Sequence, residues 1–142
     1  MTTEQLTEYV QDDPVRPHLS AQFRTDNESG RVTYGLIDGE EVQAIVCTQT
    51  GYGVPKQERD LHNQGTGDKV VSPYTIWSYT RGRGTDLINM LLSLDLEGRL
   101  VTLSPKTEMA RRFHIKNGAF LLQENEDTIN YEYPKKTIPQ SN

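Results

Sequence analysis

A chain of 142 residues is the size of one domain and long enough to bury about two-thirds of the surface its unfolded form exposes. Its 15 Lys and Arg against 20 Asp and Glu leave a formal charge of −5, which argues against general affinity for nucleic acid or an anionic membrane. One cysteine, Cys47, excludes an internal disulfide, and no apolar run is long enough to span a bilayer.

The N-terminus, Met1-Thr2-Thr3-Glu4-Gln5, carries neither a basic leader nor an apolar stretch, which predicts a reduced, cytoplasmic setting. Thr2 or Thr3 is placed to cap a short helix over 4–11, with Leu6, Tyr9 and Val10 on one face. Pro14 and Pro17 stop it, making 1–17 an N-terminal helix and linker. Residues 18–26 fit either a strand or a helix period. Asn27-Glu28-Ser29-Gly30 reads as a turn, 31–37 as a strand, Asp38-Gly39 as a hairpin signal and 41–48 as the returning strand, where Cys47 reads as a buried thiol. The polar, glycine-rich stretch 50–69 reads as a long loop, either a lip over a binding cleft or a mobile insertion.

The densest signal covers 70–92. A β-rich run (Val70, Val71, Tyr74, Ile76, Trp77, Tyr79) passes into Arg81-Gly82-Arg83-Gly84-Thr85, then into helical apolar spacing at Leu87, Ile88, Leu91 and Leu92. Strand, glycine-rich turn and helix start, in that order, form a device for holding phosphate. Gly82 and Gly84 let the turn take φ > 0 and a ligand approach the backbone, while the first helical N–H groups lack intrahelical partners at the positive end of the dipole. Arg81 and Arg83 add charge at the same place. The alternative is a tight turn whose arginines are solvated. The third glycine of a dinucleotide fingerprint is missing, and no Gly-Lys-Ser/Thr follows to make a nucleoside-triphosphate loop.

The helix is expected to end near 96–97, with Gly98 closing it and 99–103 forming a buried strand. Ser104, as N-cap, and Pro105, in the first turn, predict a second helix carrying Met109, Ala110, Phe113 and His114, which Asn117-Gly118 ends. A strand over 119–122, a turn at 124–127, a last strand over 128–133 and a flexible tail at 135–142 complete the order. Two crossovers then place strands 73–79 and 100–103 parallel, in one domain covering 1–142. His18, His62 and His114 lie too far apart to suggest a metal site.

Tyr79-Thr80-Arg81-Gly82-Arg83-Gly84 resembles the Gln/Arg-x-x-Gly-x-Gly/Ala phosphate turn of the GNAT superfamily of N-acetyltransferases, with Leu87 and Ile88 as its paired aliphatics. The leading Gln/Arg is replaced by Tyr79. Residues 107–120 are similar to the family's Asn-x-x-Ala-x-x-Leu-Tyr-x-Lys-x-Gly-Phe. Ala110, Lys116 and Gly118 are in register, Phe113 stands for the Leu, Thr107 for the Asn and His114 for the Tyr, and Phe120 arrives one residue late. The resemblance covers about 31–133, with its specific part in 79–120. It implies an α/β (α+β) domain whose mixed central sheet is mostly antiparallel, with one parallel, splayed strand pair and helices on both faces.

The same resemblance implies an acyl-CoA-dependent N-acyltransferase. Acetyl-CoA would be the donor and an amine, on a small molecule or a protein, the acceptor, and a homodimer stays open. The pantetheine would pair with Trp77, Ser78 and Tyr79, and the pyrophosphate would sit on the amides from Arg81 through Gly82, Arg83 and Gly84 to Thr85, with Thr107 and Ala110 completing the cofactor site. His114 takes the place of the family's proton-donating Tyr; its bland reading is a histidine packed on the sheet. Tyr74 is a candidate to hold a water or shape the acceptor site, or else a core tyrosine. Arg111 and Arg112 either reach the nucleotide phosphates or solvate an outer face. Thr102-Leu103-Ser104-Pro105 with Phe113-His114 also looks like the malonyl-CoA decarboxylase branch of the fold, where a His and a Ser act on the thioester and Ser78 would be that Ser. A general base is not assigned. A GNAT-like binding or assembly protein without catalysis is the competing reading, drawn from the departures at Tyr79, Thr107 and His114.

Overall fold

The computed structural model describes residues 5–62 and 65–135. Thr2, Thr3 and most of the 135–142 tail lie outside those residues. One seven-stranded sheet forms the body. The hairpin is β1 (Arg31–Asp38) and β2 (Glu41–Tyr52), antiparallel, with β2 running beyond the expected 41–48 into the stretch read as loop. Next come β3 (Lys69–Ser78), β4 (Arg99–Val101), a short β5 (Ser104–Pro105), β6 (Phe120–Glu124) and β7 (Thr128–Tyr133). Strand order is β1-β2-β3-β4-β7-β5, with β6 pairing β7 from outside. All pairings are antiparallel except β3 with β4, as the family resemblance implies.

Helices cover both faces. Helix α2 (Arg83–Ser93) lays Leu87, Ile88 and Leu91, each at most 2% exposed, against Ala44, Val46, Val71 and Tyr131. Each of these three side chains contributes about 1.5–3 kcal/mol of burial. Helix α3 (Glu108–Lys116) packs on the same side, with Phe113 against that cluster and His114 over β7. On the opposite face lies a second core of Leu6, Leu19, Ile45, Cys47, Leu61, Tyr74, Trp77 and Leu103. Its cover is a 3-10 helix (Gln5–Asp12), a one-turn helix α1 (Ala21–Arg24) and a 3-10 helix (Glu58–His62). The segment 18–26, open between strand and helix, is settled by Ser20, whose Oγ accepts from Phe23 N–H at 3.1 Å and caps α1.

Three expectations change. Helix α2 stops at Ser93, short of 96–97, and Asp95 (φ 49) and Gly98 (φ 111) carry the chain round to β4 in left-handed conformations. Ser104 and Pro105 do not start α3: they pair with Ile129 and Thr128 of β7, and Thr107 Oγ1 caps the helix by accepting from Ala110 N–H at 3.2 Å. Met109, expected at helical spacing with Ala110, Phe113 and His114, does not share the burial of His114 and is 82% exposed.

The long loop is anchored at several points. Thr128 Oγ1 donates to Lys56 O at 2.6 Å, Asn130 Nδ2 to Pro55 O at 2.8 Å and Arg31 Nη2 to Leu61 O at 2.8 Å. These bonds tie it to β7 and β1 on the second-core face.

β3 and β4 part soon after they pair. They pair at Val70–Arg99 and Val71–Leu100, and Leu103 N–H still donates to Pro73 O at 2.9 Å. Beyond that, the chain after β4 turns to β7 while β3 stays with β2. Tyr74 is skipped in the β2–β3 register, which steps from Thr75–Cys47 to Pro73–Thr48. Such a bulge bends a strand, and it turns the neighbours Tyr74 and Thr75 to one face: Tyr74 joins the second core, and Thr75 Oγ1 donates to Asp13 Oδ1 at 2.7 Å.

Candidate active site

Parting of the strands opens a cleft of about 670 Å³, in the range of small-ligand sites. Of the residues expected at a site, it gathers Tyr74, Trp77, Ser78, Gly84, Thr107, Ala110 and His114. Tyr79, Arg81, Gly82, Arg83 and Thr85 lie outside its lining, at the turn where β3 passes into α2. Ile76, Leu103, Met109 and Phe113 make the walls largely apolar, and Pro14 and Val15 close them on the second-core side.

The two glycines of the turn do different jobs. Gly82 sits at φ 86 as N-cap of α2, with open space where a Cβ would stand. At Gly84 a Cβ would come within 3.0 and 3.2 Å of the Phe113 ring, so this glycine brings α2 and α3 together at the cleft. Among the described residues no side chain caps α2. Arg83 N–H donates to Thr80 O at 3.2 Å and Asp86 N–H to Gly82 O at 3.4 Å, whereas nothing among the described residues accepts from the N–H groups of Gly84 and Thr85. Those two donors, at the positive end of the helix dipole, suit an anionic group. Arg83 is paired with Asp86 at 3.0 Å, and Arg81 is exposed. Arg112 is paired with Glu108 at 3.1 Å on the outer face of α3.

Tyr79 has a structural duty. Its hydroxyl accepts from Trp77 Nε1 at 2.9 Å and donates to Asp12 Oδ2 at 2.7 Å, and its ring meets Tyr9 edge-on, tying the N-terminal segment to the end of β3. Tyr74 is 1% exposed, and burial pushes its hydroxyl pKa well above the ordinary value.

His114 is 4% exposed and held on both sides. Nδ1 lies 2.7 Å from Tyr133 Oη and Nε2 lies 3.2 Å from Ser104 Oγ, which in turn lies 2.7 Å from Thr102 Oγ1. The ring stacks on Tyr131 at 5.1 Å. Burial lowers the His114 pKa to about 4, so the imidazole is neutral at pH 7, and burial raises that of Tyr133, which stays a phenol. The serine bonded to His114 is thus Ser104, not Ser78, which is exposed at the end of β3. Ser104 stands in the Thr102-Leu103-Ser104-Pro105 stretch that the decarboxylase resemblance singles out, although that resemblance gave the serine role to Ser78, whereas nothing in the sequence marks Tyr133.

Arg16 likewise carries no functional signal in the sequence. Its Nε donates to Tyr74 O of β3 at 2.9 Å and its Nη2 to Leu103 O, in the segment that follows β4, at 3.1 Å; Nη1 pairs with Glu58 at 3.0 Å. Behind it, Asp13 and Arg24 form an ion pair of 2.7 Å with both side chains fully buried. Burial pushes the Asp13 carboxyl up, but hydrogen bonds from the Arg16 and Val15 N–H groups, Thr75 and Arg24 outweigh it and hold its pKa below the usual value. Among the described residues no group of three or more His, Cys, Asp or Glu could hold a metal ion, and no helix is long and apolar enough to cross a membrane.

No protein-family model matches the chain, and a search of curated proteins finds no match. Solved structures do match. An aminoglycoside 6'-acetyltransferase type Ii superposes with a TM-score of 0.64 at 13% identity, covering 96% of this chain and 92% of that one. A putative acetyltransferase of the GNAT family from Desulfovibrio desulfuricans gives 0.61 at 14% identity, covering 94% and 92%. An acetyltransferase from Thermus thermophilus gives 0.50 at 18% identity over 72% of this chain, which spans 62% of that protein's length. With the parallel pair that parts beside a glycine-rich helix start, these likenesses establish that the chain has the fold of the GNAT N-acetyltransferases.

Proposed function

We propose that the chain is an acyl-CoA-dependent N-acyltransferase that moves an acyl group, acetyl in the first instance, from coenzyme A directly to an amine. One observation carries this reading: the largely apolar cleft between the parting strands runs onto the uncapped N-terminus of α2. The residues fit such a donor. Unpaired N–H groups at Gly84 and Thr85, with Arg81 beside them, suit the pyrophosphate; the free side of β3 at Trp77 and Ser78 suits the amide-bearing pantetheine arm; the small Ala110 leaves room beside it. Thr107 is committed to its cap and contributes through the position of α3. Tyr74 shapes the floor on the acceptor side.

Calorimetric titration with acetyl-CoA and coenzyme A tests the donor. Micromolar binding weakened about tenfold by Arg81→Glu supports the reading; no heat at millimolar ligand overturns it. Gly84→Glu is a poorer probe, since its side chain would also collide with Phe113.

A second reading, decarboxylation of a malonyl-type thioester, is favoured by the Ser104–His114 pair in the same cleft. Thiol release over a panel of amines, set against acetyl-CoA formation from malonyl-CoA, separates the two. Binding without turnover in either assay assigns a non-catalytic role.

A further inference from the structure

Amine acylation by a thioester forms a C–N bond and breaks a C–S bond, and one proton must travel from the amine nitrogen to the departing sulfur. Resting on the acyl-CoA reading of the cleft, we propose that Ser104 carries this proton, with His114 behind it as reservoir and Tyr133 fixing the imidazole.

Both Ser104 and His114 line the cleft, so the pair stands where the chemistry would occur. No Asp, Glu or Lys is among the described residues lining it, and the Tyr74 side chain belongs to the apolar second core. Ser104 Oγ sits between Thr102 Oγ1 at 2.7 Å and His114 Nε2 at 3.2 Å, while Tyr131 N–H donates to Thr102 Oγ1 at 3.1 Å. With the hydrogens ordered from Tyr131 N–H through Thr102 and Ser104 to Nε2, each hydroxyl accepts one bond and donates the next. That order assigns the ring proton to Nδ1, which donates to Tyr133 Oη at 2.7 Å. Stacking on Tyr131 and the β5–β7 pairing at Ser104–Ile129 hold ring and hydroxyl in register.

The step balances. As the amine nitrogen bonds to the thioester carbon, its surplus proton passes to Ser104 Oγ while the serine's own proton passes to His114 Nε2. When the C–S bond breaks, the imidazolium returns its proton to Oγ and Ser104 delivers one to the thiolate. Both side chains end as they began, and no carboxylate base is required.

Two variants isosteric with each other test this: Ser104→Thr keeps the hydroxyl and Ser104→Val removes it. Acetyl-CoA affinity is measured by calorimetry, and kcat and KM by thiol release over an amine panel. Equal acetyl-CoA affinity for the two variants, with kcat about 10²-fold lower for Ser104→Val than for Ser104→Thr, supports the relay. Binding intact and kcat equal in both overturns the relay and leaves the acyl-CoA reading standing. If unaltered protein does not bind acetyl-CoA, the acyl-CoA reading itself falls and takes the relay with it. Should Ser104→Val fail to fold, Ser104→Ala against Ser104→Thr gives the same comparison.

Discussion

Arg16 donates its Nε–H to the carbonyl oxygen of Tyr74 at 2.9 Å, at the point where β3 loses β4 as a partner. Tyr74 is the residue that the β2–β3 register skips, and the guanidinium supplies its carbonyl with a donor at that bulge. The same guanidinium reaches Leu103 O across the gap, so its planar fork bridges β3 and the segment that follows β4. Arg16→Met takes a donor from both buried carbonyls and is expected to cost about 2–4 kcal/mol in urea unfolding. Arg16→Lys recovers less than half, since an ammonium has no fork. Acetyl-CoA affinity falls with the strand spacing in both variants, whereas a surface change such as Glu126→Gln leaves stability and affinity unchanged.

A second buried charge supports the first. Asp13 accepts from Arg24, Thr75 and two backbone N–H groups, so it joins the linker to α1 and β3. Asp13→Ala strands the Arg24 guanidinium in the core and is expected to cost about 3–5 kcal/mol. The double variant Asp13→Ala with Arg24→Met should cost less than the sum of the two single changes, a coupling that a double-mutant cycle in urea measures.

What could be read from the sequence were features set by neighbours in the chain. The hairpin over 31–48 shows in its alternation and its Asp38-Gly39 turn, and α2 shows in the spacing of Leu87, Ile88 and Leu91. The parallel pair follows from the crossover that α2 makes. What could not be read depends on distant partners. Ser104-Pro105 has the chemistry of a helix start, and only pairing with Thr128 and Ile129 makes it a strand. An arginine between two prolines looks solvated, yet Arg16 meets carbonyls 58 and 87 residues away. The motif at 107–120 singled out His114, but its serine could not be told from Ser78 because the choice rests on which strand lies under α3.

The two turn glycines should respond differently to alanine. Gly82 has open space but a left-handed backbone, so Gly82→Ala costs about 1 kcal/mol through strain and leaves α3 undisturbed. Gly84→Ala places a methyl 3.0 Å from the Phe113 ring, which must shift. The expected cost is about 1–3 kcal/mol of overpacking, and the companion change Phe113→Leu should relieve part of it. Thermal unfolding of the three variants distinguishes strain from crowding.

The buried His114 makes stability depend on pH in a definite direction. Its pKa falls from 6.5 in the unfolded chain to about 4 in the folded one because burial disfavours the imidazolium. Between those values the unfolded chain binds more protons than the folded chain, so stability rises with pH across this window and levels off above 6.5. The spacing corresponds to about 3 kcal/mol lost on acidification from pH 6.5 to 4. Asp13 and Glu58, whose folded-state pKa values are depressed, also lose their contribution as pH falls through those values, so the wild-type slope alone mixes the groups. Subtracting the profile of His114→Gln isolates the imidazole: the difference should be flat above pH 7 and grow below 6.5. Urea midpoints at half-unit intervals measure it, and parallel profiles for the two proteins would mean that His114 takes up its proton as readily in the folded chain as in the unfolded one.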